Sequence, residues 1–145
     1  MSKSNALETA YLQLLFQNAN FANVGDATGL RGSTAAGQLF MSLHTADPDE
    51  AGTQSTNEVA YTGYARVGVA RSGVGFTVTN NAVALAADVT FPAGTGGSGT
   101  ATHWGIGTAS SGAGVLLYKG TISPSIVCGN GVTPALTAGT LVTED

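Results

Sequence analysis

From Gln38 onward, apolar side chains recur at every second residue, and this alternation constrains the fold more than any other feature of the chain. Residues 39–44 alternate Leu, Met and Leu with Phe, Ser and His, and the same period appears at residues 65–70, 76–79 and 101–106. A period of two is the signature of β-strands, whose successive side chains point to opposite faces of a sheet. The pattern therefore predicts a series of short, half-buried strands.

Turn residues separate these segments and set the fold class. Further strand candidates lie at residues 89–91, 115–118, 122–127 and 136–142. Segments rich in Gly or Asn fall between strand candidates, at residues 80–81, 93–99, 109–114 and 129–131. Seven or eight short strands with such turns predict a mainly β chain, built as an antiparallel β-sandwich or jelly-roll-like domain.

The start of the chain predicts the single helix and an extended arm. Apolar residues recur at helical spacing from Leu7 to Leu15, and Asn5 with Glu8 three residues later resembles a capping box, so a helix is expected over residues 5–18. Residues 25–37 show no sustained apolar period and are interpreted either as an arm across a neighbouring surface or as a long loop. We expect residues 1–37 to form the helix and arm, and residues 38–145 the β-sandwich.

The apolar side chains of the helix have two interpretations. They anchor a partner protein, or the helix covers one end of the sandwich. The residues of the predicted partner-binding face are Leu7, Tyr11, Leu14, Leu15 and Phe16.

The low content of charged residues favours a protein that functions as part of an assembly. Charged residues make up 10% of the sequence, against about 25% in ordinary domains. A surface of Thr, Ser, Asn, Gly and Ala can pack against a neighbour without burying unpaired ions. We therefore expect a homo-oligomer, with a trimer favoured.

Charge distribution and apolar runs bear on other partners. The five basic residues are scattered and form no stripe that could neutralise phosphates, so direct nucleic-acid binding is not expected. No run approaches the length of a membrane span, and the apolar run at residues 10–16 lacks a cleavage site for secretion. The lone Cys128 is interpreted as a small buried hydrophobe.

Residues for catalysis or metal binding are scarce. His44 and His103 show no metal-ligand spacing, and the acidic group at residues 47–50 is better explained as a turn around Pro48 than as a Ca²⁺ loop. His44 is expected to bond the following turn. No serine lies in a G-x-S-x-G motif. We predict a chain that is not an enzyme and has no metal or cofactor.

Residues 42–66 carry a resemblance to a known family. The elements SLHTADP and NEVAYTGYARV are followed by FPAGT and then by ATHWGIGTA. In this order they resemble a family of small tailed-phage structural proteins, often labelled tail-fibre or minor tail proteins. Some small all-β phage proteins of this size decorate capsids. The resemblance covers residues 39–107 and implies a virion protein, with no catalytic residues to carry over.

The same segment has a physical interpretation as a loop framework. Amide, hydroxyl and guanidinium groups can fix the returning loop, and phenol groups normally find partners when they are buried. The predicted framework residues are Thr45, Asp47, Asn57, Tyr61, Tyr64 and Arg66. Arg66 and Arg71 are each expected to be solvated or paired with Glu58 or Asp88.

Three functions fit these observations. The first is a decoration (cement) subunit, made in the host cytoplasm, that binds the major capsid protein on the capsid exterior and stabilises the head. The alternative is a tail or tail-fibre component, an adhesin that binds tail proteins and contacts the host. The third is a carbohydrate-binding module whose stacking platform would be Tyr61, Tyr64, Trp104 and Tyr118.

Overall fold

A computed structural model of the chain describes residues 2–139 and 141–144. Within these residues the chain forms one helix and nine strands. Their bounds are α1 (Asn5–Gln17), β1 (Gln38–His44), β2 (Val67–Ala70), β3 (Phe76–Thr79), β4 (Ala82–Leu85), β5 (Val89–Thr90), β6 (Ser98–Gly107), β7 (Leu116–Gly129), β8 (Ala135–Leu136) and β9 (Leu141–Thr143).

The predicted fold class is confirmed, because the chain is mainly β with a single helix. The pairs β1 with β6, β6 with β7, β3 with β4, β4 with β9 and β5 with β8 all run antiparallel, which is consistent with a β-sandwich. Three details differ from the prediction. Strand β4 was not predicted, the segments at 115–118 and 122–127 belong to one strand, and the segment at 136–142 is divided between β8 and β9.

The chain forms two compact units that interleave along the sequence. Unit 1 comprises Met1–Gln38, Val69–Asp88 and Thr137–Asp145. Unit 2 comprises Leu39–Gly68 and Val89–Leu136. The assignment of residues 1–37 to a helix and arm and of residues 38–145 to a β-sandwich domain stays a prediction.

In unit 1, helix α1 packs on β3 and β4. Leu12 and Phe16 are fully buried, and the ring of Phe16 meets that of Phe76 edge to face at 5.0 Å between centroids. The predicted cap at Asn5 is wrong by one residue, because the Ser4 hydroxyl accepts the Leu7 N–H and Asn5 begins the helix. The 13 residues of α1 are too few to cross a membrane, and the described residues contain no other α-helix.

The Arg71 side chain links the C-terminal end of α1 to residues 33–36. Its guanidinium donates to the carbonyl oxygens of Leu15 (2.7 Å), Leu14 (2.8 Å) and Ala36 (2.9 Å). The last carbonyls of a helix lack partners within it, so a cation is favourable there. The expectation that Arg71 is solvated or paired with an acid is wrong, because its guanidinium donates to backbone carbonyls and to the Ser33 hydroxyl.

In unit 2, β1 lies between β2 and β6 in a sheet of order β2-β1-β6-β7. Four consecutive residues of β1, from Met41 to His44, are buried. The strand is therefore covered on both faces, whereas its alternating pattern predicted one buried face. The second face carries the polar side chains of Ser42 and His44, and these need partners inside the protein.

Candidate functional site

The acidic turn after β1 is closed by a side chain and by an ion pair. The carboxylate of Asp47 accepts the Asp49 N–H at 2.9 Å and the ammonium group of Lys119 at 2.6 Å. The hydrogen bond from Lys119, and after it that from the Asp49 N–H, lowers the pKa of Asp47 below its usual range. The turn interpretation of residues 47–50 therefore has a geometric basis, with Lys119 as a partner that the sequence did not indicate.

Asn57 returns the chain to the end of β1. Its φ of 54° lies in the left-handed region, which Asn tolerates better than most residues. Its carbonyl oxygen accepts the N–H (2.7 Å) and hydroxyl (3.1 Å) of Thr45, and its side-chain amide donates to the Asp47 carbonyl at 3.0 Å. One asparagine thus closes the loop from both ends.

Glu58 is the centre of a second polar group. Arg66 donates to both of its carboxylate oxygens, Nε at 2.7 Å and Nη2 at 2.8 Å, and the Tyr64 hydroxyl donates at 2.8 Å. The Tyr64 oxygen in turn accepts the Leu43 N–H of β1 at 3.1 Å. The Arg66 side chain is only 3% exposed. A bidentate pair of this kind fixes the orientation of both side chains.

The same group shifts the pKa values of Tyr64 and Arg66. Burial, reinforced by the charge of Glu58, raises the pKa of Tyr64 well above its usual value. The hydrogen bond to Glu58 raises the pKa of Arg66. The phenol and the guanidinium thus keep their protons at physiological pH.

Arg66 also holds the tip of the β6–β7 hairpin, which we define as residues 108–115. Its guanidinium donates to the carbonyl oxygens of Ala109 (3.0 Å) and Gly112 (2.7 Å). On the other side, the side-chain oxygen of Gln54 accepts the Ala109 N–H at 2.9 Å. Although its composition of Ser, Gly and Ala would favour mobility, the tip is thus held by two buried side chains.

Gln54 fits a niche that two glycines create. It is fully buried, and its side-chain amide donates to the Phe40 carbonyl at 3.2 Å. A Cβ atom at Gly107 would lie 2.1 Å from the Gln54 side chain, and one at Gly114 would lie 2.3 Å from it. Sequence reasoning missed Gln54, because its role depends on glycines more than 50 residues away in the sequence.

Ser42 and His44 form a hydrogen-bonded pair on the second face of β1. The Ser42 hydroxyl lies 2.8 Å from His44 Nε2, and His44 Nδ1 lies 2.8 Å from the Thr56 carbonyl oxygen. Because a carbonyl only accepts, Nδ1 carries the proton, and in the neutral ring Nε2 accepts from the serine. Burial lowers the pKa of His44, which favours this neutral form.

This pair resembles the nucleophile and base of a hydrolase, but it has no access to solvent. Both side chains are 0% exposed. They face Gly105 of β6, where a Cβ atom would lie 2.7 Å from the serine oxygen and 2.8 Å from His44 Nε2. The pair fills space that a side chain at residue 105 would otherwise occupy, and a substrate could not reach it.

The aromatic side chains of unit 2 form a cluster. Tyr61 meets Tyr64 edge to face at 5.4 Å, and Tyr64 stacks on Phe91 at 6.1 Å. The Tyr61 hydroxyl donates to the Pro92 carbonyl at 2.7 Å. Tyr61 and Trp104 are both buried, so they cannot offer ring faces to a sugar as the third function would require.

The structure divides the six predicted framework residues between two groups. Tyr64 and Arg66 meet at Glu58, and Tyr61 joins them through ring contact. Thr45, Asp47 and Asn57 form the separate turn group. Their joint role as a loop framework stays a prediction. No group of three or more metal-ligating side chains occurs within residues 2–139 and 141–144.

The five residues of the predicted partner-binding helix face are exposed to different degrees. Leu7 and Tyr11 are 40% and 43% exposed. Leu14 and Leu15 are half-buried. Phe16 is fully buried inside unit 1 and so cannot contact an outside partner in this conformation.

Comparison with known proteins gives one family. The family model described as "Podophage GP4 fiber I protein gp80" matches residues 2–144, nearly the whole chain. No curated protein matches the chain. The match confirms the resemblance to phage virion structural proteins that the motifs at residues 39–107 carry, and it extends that resemblance over the helix and the last third of the chain.

Proposed function

The chain belongs to the family described as Podophage GP4 fiber I protein gp80, and from this membership we propose that it is a non-enzymatic structural subunit of a phage fibre. The family is one of virion structural proteins, and its description names a fibre. Fibre subunit is the finer assignment, and it is supported by this description. On the sequence alone, a fibre role is the alternative to head decoration.

Two structural observations support a scaffold role over an enzymatic one. The Ser42–His44 pair is fully buried behind Gly105. The Glu58–Arg66 pair forms hydrogen bonds to backbone carbonyls and to a phenol. Polar side chains that are buried and fully bonded make a fold rigid and specify one arrangement of its loops. A subunit that transmits load within a particle needs such rigidity.

Exposed side chains of the helix are the basis for the partners that we propose. We propose that the subunit acts as a homo-oligomer, with a trimer as the favoured form, and that it binds other tail proteins of the particle. The exposed side chains of Leu7 and Tyr11 on α1 supply an apolar contact for one of these partners. Direct contact with nucleic acid or membrane has no part in the proposal.

Labelling of intact particles tests the assignment. A small epitope tag after the last residue, detected with gold-labelled antibody and by cryo-electron microscopy, reports location and copy number. We expect label on fibres at the tail end of the particle, in few copies. A regular array of many copies over the head would refute the fibre role and establish the decoration role instead.

A second experiment removes the protein from the particle. Particles that lack the protein should lose fibres while keeping filled heads, and the protein supplied in trans should restore the fibres. Loss of head stability without loss of fibres would also contradict the proposal.

A further inference from the structure

The turn that follows β7 contains a peptide bond of high chemical reactivity. Asn130 alone among the asparagines of the chain is followed by a glycine. The backbone nitrogen of the next residue can attack the side-chain carbon of an asparagine, and a glycine at that place has no side chain to hinder the attack. Both Asn130 and Gly131 are exposed. The bond between them is therefore a candidate site of spontaneous deamidation, one of the reactions that make asparagine thermolabile.

The backbone of this turn is held by hydrogen bonds. The Val132 N–H donates to the Gly129 carbonyl at 3.1 Å, and Gly131 has a φ of 75°, as the third residue of a type II turn requires. The Gly131 N–H, which belongs to the attacking nitrogen, donates to the Gly94 carbonyl at 2.8 Å. The Gly94 N–H donates to the Val132 carbonyl, also at 2.8 Å. Two hydrogen bonds thus hold the turn against residue 94.

Gly94 permits this contact because it has no side chain. A Cβ atom at residue 94 would lie 2.0 Å from the Gly129 carbonyl oxygen and 3.3 Å from the Tyr61 ring. Gly96 in the same loop has more room, since a Cβ atom there would approach Thr62 at 3.4 Å. An alanine at residue 94 would therefore push the turn away, whereas an alanine at residue 96 would leave it in place.

The hydrogen bond between Gly131 and Gly94 opposes the reaction of Asn130. The attacking nitrogen must give up its proton, and an N–H that donates to a carbonyl retains it. The nitrogen of the succinimide product carries no proton, so ring closure also abolishes this hydrogen bond. Exchange of the same amide hydrogen with solvent requires local opening as well. Opening of the turn is thus the step that the reaction of Asn130 and the exchange of the Gly131 amide share.

We propose that Asn130 is a deamidation site that the native turn keeps closed and that reacts when residues 129–132 separate from Gly94. The Gly131 nitrogen forms a bond to the side-chain carbon of Asn130, and the side-chain amino group leaves as ammonia with the proton of that nitrogen. Water then opens the succinimide to aspartate or isoaspartate. Isoaspartate adds a methylene group to the main chain of the turn, which prevents the two hydrogen bonds to residue 94 from forming again. The reaction is thus an irreversible release of this contact, and it does not rest on the proposed fibre role.

A time course of the purified full-length chain at mildly alkaline pH, followed by tryptic digestion and mass spectrometry, measures the reaction. The peptide of residues 120–145 contains no other asparagine and no glutamine, so conversion of an amide to an acid in it reports on Asn130 alone. We expect the rate constant to be about tenfold or more lower in the native chain than in the chain unfolded by urea. The ratio of the two rate constants should equal the protection of the Gly131 amide against hydrogen exchange.

Two alanine variants test the role of Gly94. We expect Asn130 to react about tenfold or more faster in native Gly94→Ala than in the native wild-type chain, because the two hydrogen bonds are lost. Gly96→Ala is the matched control and should leave the rate constant unchanged. Circular dichroism establishes that each variant is folded. The comparison of the native and unfolded wild-type chains tests the proposal even if Gly94→Ala does not fold.

A further comparison tests the irreversible release. Asn130→Asp adds the charge of the product without the extra methylene group, so the Gly94 amide should keep its protection against hydrogen exchange. The deamidated wild-type chain, separated by anion exchange and shown by electron-transfer dissociation to carry isoaspartate, should lose that protection.

Several outcomes would overturn the proposal: an Asn130 that does not react in the unfolded chain, equal rate constants in the native and unfolded chains, a folded Gly94→Ala variant that reacts no faster than Gly96→Ala, or an isoaspartate form in which the Gly94 amide stays protected. Because these measurements concern the isolated chain, the location of the protein in the particle is tested separately.

Discussion

At the scale of single residues, the buried pair Glu58–Arg66 holds both the Tyr64 phenol and the tip of the β6–β7 hairpin. Arg66 is nearly inaccessible to solvent, and it satisfies four groups at once: both oxygens of Glu58 and two carbonyls of the hairpin tip. Removing one member of a buried ion pair leaves the other charge uncompensated. The pair therefore acts as a single unit in which neither residue can be exchanged alone.

Glu58→Gln should consequently destabilise the chain by about 3 kcal/mol or more, because the guanidinium of Arg66 loses its counter-charge. Urea unfolding followed by circular dichroism measures the change. Asp49→Asn, an exposed substitution of the same chemical kind, should leave the free energy of unfolding unchanged. Equal stability of the two variants would show that the Glu58 pair has no special role.

The two buried phenols allow a finer test of the framework. Tyr64→Phe removes a donor to Glu58 and an acceptor for the Leu43 N–H, so we expect a loss of about 1–3 kcal/mol. Tyr61→Phe removes only the bond to the Pro92 carbonyl and should cost less. Melting temperatures that stay at the wild-type value in both variants would refute the framework role of these hydroxyls.

His44 gives the chain a predictable response to pH. In the folded chain, burial lowers its pKa below the ordinary value of 6.5. As pH falls below about 6.5, the unfolded chain therefore binds a proton before the folded chain does, and the free energy of unfolding decreases. The decrease stops once pH has passed the folded pKa. Above 6.5 both states are neutral and His44 contributes no slope.

A comparison of variants isolates this effect. Unfolding free energies between pH 7 and pH 5 should fall for the wild-type chain and for His103→Asn, whose histidine lies partly exposed on β6. In His44→Asn the fall should be smaller, whatever its absolute stability. A slope that is the same in all three proteins would contradict the assignment to His44.

At the scale of elements, the helix depends on a residue far along the chain. Arg71 supplies the cation that the last turn of α1 lacks, and it ties residues 33–36 to the same place. We expect Arg71→Met to lower the free energy of unfolding by about 2 kcal/mol, because several carbonyls lose a charged donor. Hydrogen exchange should rise at residues 14–18 and 33–37.

Arg31→Met is the matched control, because Arg31 is an exposed arginine in the same unit. It should change neither stability nor exchange. Increased exchange across the whole chain in Arg71→Met, rather than in these two segments, would mean that Arg71 supports the core in general and not the helix end.

The element types were predictable where side-chain periodicity is strong. The alternation at residues 39–44 and 76–79 predicted β1 and β3. Strand β4 was not predicted because its sequence AVAL contains no polar residue and so shows no alternation. Strand β7 was predicted as two segments because the bulge around Pro124 interrupts its pattern. Periodicity reports the burial of neighbours in sequence. A bulge or a small residue interrupts that signal without ending the strand.

At the scale of the whole molecule, the sequence predicted the fold class and the phage family, and the site only in part. Polar residues of the motif segment, such as Asn57 and Arg66, could be selected because their amide and guanidinium groups are able to fix a returning loop. Gln54 and Lys119 could not, because their partners come from the β6–β7 hairpin or from the distant turn. Pairing between distant segments is a property of the folded chain, and a single sequence carries no local signal for it.

The anchored hairpin tip has a practical consequence for engineering. Its two fixed points, the carbonyls of Ala109 and Gly112, lie on either side of the exposed Ser110 and Ser111. A foreign peptide inserted between these two serines leaves both anchors on the native chain, so the graft would be carried on a rigid stem. An insertion after Gly112 would instead fall beside the Gln54 niche, where Gln54 N–H donates to the Ala113 carbonyl. The tip thus offers one position, and not its whole length, for displaying added sequence.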